Sequence, residues 1–110
     1  MQTSYGANEY RQNDIMGASP IRLVVIAYDL AIAACEQKNL FKATKAIGVL
    51  RDALDFDVEM SVQLFSIYQW ILEKIRGGEW QEASRNLKEL REAWVVVEKQ
   101  TSPAPIHQDL

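Results

Sequence analysis

A chain of 110 residues, 48% hydrophobic and 25% charged, has room for one globular domain and is too apolar to stay unfolded. Five glycines and three prolines are too few to punctuate an all-β fold, one cysteine rules out an intramolecular disulfide or a cysteine-cluster metal site, and one histidine rules out paired-histidine zinc motifs and di-iron Glu-x-x-His pairs. A net charge of −3 offers no basic face to nucleic acid.

The opening MQTSYGANEYRQND is polar, without the basic-then-apolar order of a secretory leader. The longest apolar stretch, residues 23–35, is interrupted by Asp29 and falls short of the about 20 residues a bilayer span needs. The expectation is a cytoplasmic, reduced protein with no membrane insertion. One domain is expected: an N-terminal segment over 1–18, a helical body over 19–100 and a flexible tail over 101–110.

Helical periodicity occurs in four segments, and strand alternation is not sustained anywhere. The first helix opens at Ser19-Pro20. The serine hydroxyl suits an N-cap, and proline suits the first helical position because its missing N–H costs nothing there. It is expected to run to about Lys38. Asn39 then caps a second helix, whose Leu40, Ala43, Ile47, Leu50 and Leu54 alternate steps of three and four, a narrow seam. Gly48 inside it either admits a close neighbour or is a tolerated weakness, at about 1 kcal/mol against Ala.

Asp55 or Asp57 is expected to cap the third helix, which Gly77-Gly78 ends. Its core stripe is Leu64, Tyr68, Ile71 and Ile75, with Met60, Ile67 and Ile71 beside it. The fourth helix spans about 79–99 with Ala83, Leu87, Leu90, Trp94 and Val97 as its seam. Arg85–Glu89 and Lys88–Glu92 are spaced as i,i+4 ion pairs on its wet face. Pro103 and Pro105 end regular structure. Short connections force neighbouring helices to reverse, so the expected fold is all-α: an antiparallel up-down-up-down four-helix bundle. Leu50, Leu64, Leu87, Leu90 and Trp94 are expected in its core.

A bundle helix buries a stripe about 100° wide. The first helix exceeds this, since Arg22, Asp29 and Glu36 are the only charged breaks in it before Gln37. Either it is the central helix, or its surplus is covered by the N-terminal segment, another subunit or a client chain. Tyr5, Tyr10, Ile15 and Met16 space apolar groups along the N-terminal segment, making it either a lid on that surface or a leader with incidental aromatics. Trp70 lies off the main stripe of the third helix and is either a contact residue or an edge of the core.

Catalysis has little to stand on. His107 sits in the tail and Cys35 among apolar neighbours. Asp52, Asp55, Asp57 and Glu59 lack the glycine and glutamate spacing of a calcium loop and read as capping and solvation. No catalytic, metal or cofactor site is expected, and no enzyme.

The run Tyr10-Arg-Gln-Asn-Asp-Ile15-Met-Gly-Ala-Ser19-Pro20, followed by Leu23 and Tyr28-Asp29-Leu-Ala31-Ile32, resembles the start of the FliS family of flagellin export chaperones. Lys42-Ala43 with Ile47, Leu50 and Leu54-Asp55 is similar to the family's second helix. Glu59-Met60, Leu64, Ile67-Tyr68 and Trp70 resemble its third, and Leu87-Lys-Glu-Leu90-Arg91-Glu-Ala-Trp94 its fourth. Each motif is weak alone; their order is fairly specific. The chain is shorter than the family norm around both the first hairpin and the third-to-fourth connection, which one truncation at a common end explains. Phe56-Asp57-Val58 stands where the family usually has a small, Gly-rich step.

The resemblance implies a chaperone that binds the disordered C-terminal segment of flagellin, prevents its premature polymerisation and presents it to the flagellar export gate. The partner-binding residues expected are Tyr10, Ile15, Met16, Tyr28, Ile32, Tyr68, Trp70 and Leu72, on a monomer or weak homodimer. The alternative is a helical homo-oligomeric adaptor using the same apolar surface for self-association.

Overall fold

The computed structural model describes residues 19–101. These hold four helices and no strand: α1 (Pro20–Glu36), α2 (Leu40–Asp52), α3 (Met60–Arg76) and α4 (Trp80–Thr101). The N-terminal segment, with Tyr10, Ile15 and Met16, and the proline-containing tail lie outside the described residues.

Helix α1 begins as its sequence dictates. Ser19 Oγ accepts the Arg22 amide at 3.1 Å, and Pro20 follows in the first turn. It ends at Glu36, two residues before the expected Lys38, because Lys38 takes a left-handed backbone with φ of 54°. The Asn39 amide then returns to the Ala34 carbonyl at 2.9 Å, while Asn39 Oδ1 caps α2 by accepting the Lys42 amide at 3.0 Å. The α3–α4 connection repeats this geometry: Gly78 has a φ of 79°, and the Glu79 amide reaches the Lys74 carbonyl at 2.9 Å.

The α2–α3 connection differs from expectation. Neither Asp55 nor Asp57 caps α3; its cap position is Glu59, which makes no side-chain capping bond. Asp55 instead folds the corner upon itself. Its carboxylate accepts the Asp57 amide at 3.0 Å, and its carbonyl accepts the Val58 amide at 2.9 Å and the Ser61 hydroxyl at 2.6 Å.

Helix α1 packs broadly against α2 and α4, α2 meets α3 over less surface, and α3–α4 is the thinnest of these contacts. The core is built from Ala31, Ala34 and Cys35 of α1, Ala43, Ile47 and Leu50 of α2, Leu64, Ile71 and Ile75 of α3, and Ala83 and Leu87 of α4. Leu50, Leu64 and Leu87 are buried as expected, whereas Leu90 and Trp94 are only partly buried against the core. Met60 and Ile67, expected beside the α3 stripe, are exposed, because Leu64, Tyr68, Ile71 and Ile75 alone fill the inward face. Gly48 opens no close approach: a Cβ there would meet only the Arg51 guanidinium, at 3.8 Å.

Helices α1 and α4 are tied by a ladder that spacing within α4 does not reveal. Arg22 pairs with Glu98 through two bonds of 2.7 and 2.8 Å, Asp29 with Arg91, and Glu36 with Lys88 at 3.0 Å. The α1 members step by seven while the α4 members descend, so the two helices run antiparallel. Lys88, expected to pair with Glu92, reaches across the bundle to Glu36 instead.

Candidate functional site

The α3 core stripe leaves Ile67 and Trp70 on one flank of that helix. Facing them is Leu90, a member of the α4 seam that is only partly buried. The three line an open cleft of about 430 Å³, rimmed by Ser66, Asn86 and Glu89. Because α3–α4 is the thinnest of the four main helix contacts, their side chains do not close over it.

Trp70 is 37% exposed, and Lys74 Nζ stands 5.2 Å from its ring centroid, an i,i+4 cation–π contact. Lys74 also faces Glu79 and Glu82 at 3.6 and 3.5 Å, which holds the ammonium over the indole. On the opposite rim, the Asn86 side chain donates to the Glu82 carbonyl at 2.8 Å. The wall is therefore aromatic and aliphatic, with a fixed polar edge.

The same two helices share a largely buried polar network with α1. The hydroxyls of Tyr28 and Tyr68 are 2.6 Å apart, their rings meet edge-on at 6.3 Å, and the Trp94 indole N–H donates to the Tyr28 oxygen at 3.2 Å. Burial raises both phenols; for Tyr28 the hydrogen bonds from Tyr68 and Trp94 work the other way, and for Tyr68 the neighbouring Tyr28 adds to the rise. Both stay protonated near neutrality, and the network joins α1, α3 and α4 at one point.

The expected partner-binding residues within the described range fall into three groups. Tyr28, Tyr68 and Leu72 are core residues and line no open groove; Tyr28 is 0% exposed. Their helical register puts them on the inward faces that exclude water. Ile32 is partly buried against the core. Among the described ones, Trp70 alone is exposed and lines this cleft. Sequence periodicity places Leu90 in the core and Ile67 in a second stripe beside that of α3; the Ile67–Trp70 i,i+3 spacing is the signal that these two share a flank. The apolar surplus of α1 is real in part, since Leu23 and Leu30 are 41% and 44% exposed although α1 is the most extensively packed helix.

A wider, mixed-charge cleft of about 1300 Å³ separates the end of α1 from the start of α4, with Cys35, Glu36, Ser84 and Lys88 on its walls. Burial, with a smaller contribution from Glu36, pushes the Cys35 thiol up to about 11, which keeps it protonated and unreactive. Ser84 Oγ is buried with no hydrogen-bond partner among the described residues. Among those residues no group of three or more His, Cys, Asp or Glu side chains is placed to hold a metal ion, and no helix is long and apolar enough to cross a membrane.

No curated protein and no solved structure matches the chain. A family model described as "Flagellar protein FliS" matches residues 1–101, and with more than half of its length covered the chain belongs to the FliS family.

Proposed function

We propose that this chain is a cytoplasmic export chaperone that binds the disordered C-terminal segment of flagellin, keeps it from polymerising and delivers it to the flagellar export gate. FliS is a family of flagellar export chaperones rather than of enzymes, and its members bind flagellin. One observation carries the reading: Ile67, Trp70 and Leu90 line an open apolar cleft along the thinnest of the four main helix contacts. An amphipathic client helix lays its apolar residues into such a groove and folds as it binds. Ordering the client costs about 2–5 kcal/mol of the gross contact energy, which suits a cargo that must be released.

In this reading Trp70 is the anchor, Ile32 borders the client path, and Tyr28, Tyr68 and Leu72 support the groove from within. The chain follows an up-down order. Tyr10, Ile15 and Met16 act from an N-terminal lid over residues 5–16, which covers apolar surface until the client arrives. A lid lowers apparent affinity by the fraction of molecules left open.

Titrating the full chain with a peptide from the C-terminus of the cognate flagellin tests this. The peptide should gain helix, with a negative heat-capacity change. Trp70→Ala should weaken binding by about tenfold or more without altering the fold. Deleting residues 2–14 should tighten binding and raise uptake of a hydrophobic dye. Unchanged affinity in Trp70→Ala refutes the groove; weaker binding in the deletion refutes the lid and makes the segment part of the binding site.

The exposed Leu23 and Leu30 of α1 favour a second reading, self-association as a homo-oligomeric adaptor. A client-free molecular mass that stays monomeric over a wide concentration range excludes it.

A further inference from the structure

Five large apolar side chains stand exposed within ten residues of the α2–α3 corner: Phe56, Val58, Met60, Val62 and Phe65. Phe56 packs edge-on against Phe65, ring centroids 6.0 Å apart, yet 57% of Phe56 remains in water. Val62 is 60% exposed and lies three residues before Phe65, on the same side of α3. Phe56, Val62 and Phe65 therefore make one apolar face rather than scattered single residues, and the helical register puts Val62 and Phe65 on the opposite flank of α3 from Ile67 and Trp70, while Met60, seven residues before Ile67, shares the side of Ile67.

The corner is also rigid. The three Asp55 bonds to Asp57, Val58 and Ser61 fix the backbone on which Phe56 stands, so a partner has little ordering to supply. Its charge is one-sided. Between residues 51 and 59 stand four carboxylates and one guanidinium, and that Arg51 is already 3.5 Å from Asp52. The net charge of this short stretch equals that of the whole chain, −3. An anionic lipid surface or a nucleic acid is repelled by such a rim, and so is a second copy of the same corner.

We propose that the α2–α3 corner is a second docking surface, which takes a basic amphipathic segment of another protein. Its apolar residues cover Phe56, Val62 and Phe65 while its lysines or arginines face Asp57 and Glu59. The rim sets partner choice and association rate, and the phenylalanines supply affinity.

The probe is a synthetic amphipathic helix of about five turns with a leucine face and a lysine face, compared with a twin carrying glutamates in place of the lysines. Binding to the full chain is read by fluorescence anisotropy and mapped by amide chemical shifts. The lysine peptide should shift residues 55–66 and bind at least about tenfold more tightly than its twin. Phe56→Ser should weaken it by about tenfold. Asp57→Asn with Glu59→Gln should weaken it by about three- to tenfold. Glu73→Gln with Glu92→Gln, the same charge change elsewhere, should leave it within about twofold. Equal binding of both peptides, shifts confined to the Ile67–Trp70 cleft, or an equal loss in the distal variant would overturn the proposal.

Discussion

Lys38 and Gly78 occupy the same place in two chain reversals built from the same hydrogen bonds. In each, the residue has a positive φ, 54° and 79°, and the next amide, of Asn39 or Glu79, closes on the carbonyl five residues back. Glycine enters this region without strain, whereas a side chain there opposes its own carbonyl. Lys38→Gly should therefore stabilise the bundle, by about 0.5–1 kcal/mol after the extra freedom of glycine in the unfolded chain is deducted. Gly78→Ala should lose a similar amount from backbone strain alone, because a Cβ there meets nothing within 4 Å. Urea midpoints at unchanged slope measure both.

Tyr68→Phe removes a hydroxyl from the centre of the bundle and leaves Tyr28 with the Trp94 indole as its partner in that network. The loss should be about 1–2 kcal/mol, near the net value of a buried hydrogen bond plus its stranded partner. Trp94 emission should shift, since its indole N–H donates into the same network. The pH dependence has a defined sign. Both phenols are raised in the folded state, so their contribution is complete below about pH 10, where the unfolded phenols titrate, and is lost as pH climbs from there toward the folded values. Stability measured from pH 7 to above pH 10 should depend less on pH in Tyr68→Phe than in the parent.

Two leucines of α4, one turn apart, should separate in energy. Leu87 is fully buried, so Leu87→Ala should cost about 2–5 kcal/mol. Leu90 is only partly buried at the edge of the cleft, so Leu90→Ala should cost less than about 2 kcal/mol. Denaturant melts of the two variants decide this; equal losses would mean the cleft is closed in solution.

The ladder between α1 and α4 predicts a modest coupling. Asp29 and Arg91 are a third to a half exposed, so their interaction energy should be about 0.2–1 kcal/mol at low salt and shrink at high salt. A double-mutant cycle with Asp29→Asn and Arg91→Gln measures it, and zero coupling at low salt would mean that this pair adds nothing to the α1–α4 contact.

Local chemistry made much of the fold legible from sequence. Ser19-Pro20 starts α1, Asn39 caps α2 and Gly77-Gly78 ends α3, because capping depends on a few neighbouring residues. The stripe Leu64–Tyr68–Ile71–Ile75 followed from the helical repeat. Which flank of a stripe stays in water is not a local property. It depends on how closely the next helix approaches, and the repeat cannot carry that. Hence Tyr28, Tyr68 and Leu72 look like groove residues in sequence and are core in the structure. Ile67 reads as part of a stripe beside the core one and lines the cleft. The carboxylates of the α2–α3 corner look like helix caps, yet Asp55 spends its bonds on the turn itself. Lys88 has Glu92 at helical distance and pairs with Glu36 because α1 lies there. The sequence by itself determined the four helices, the caps at Ser19 and Asn39 and the family; the tertiary structure decided which apolar side chains water still reaches, because that follows from distances between helices far apart in the chain.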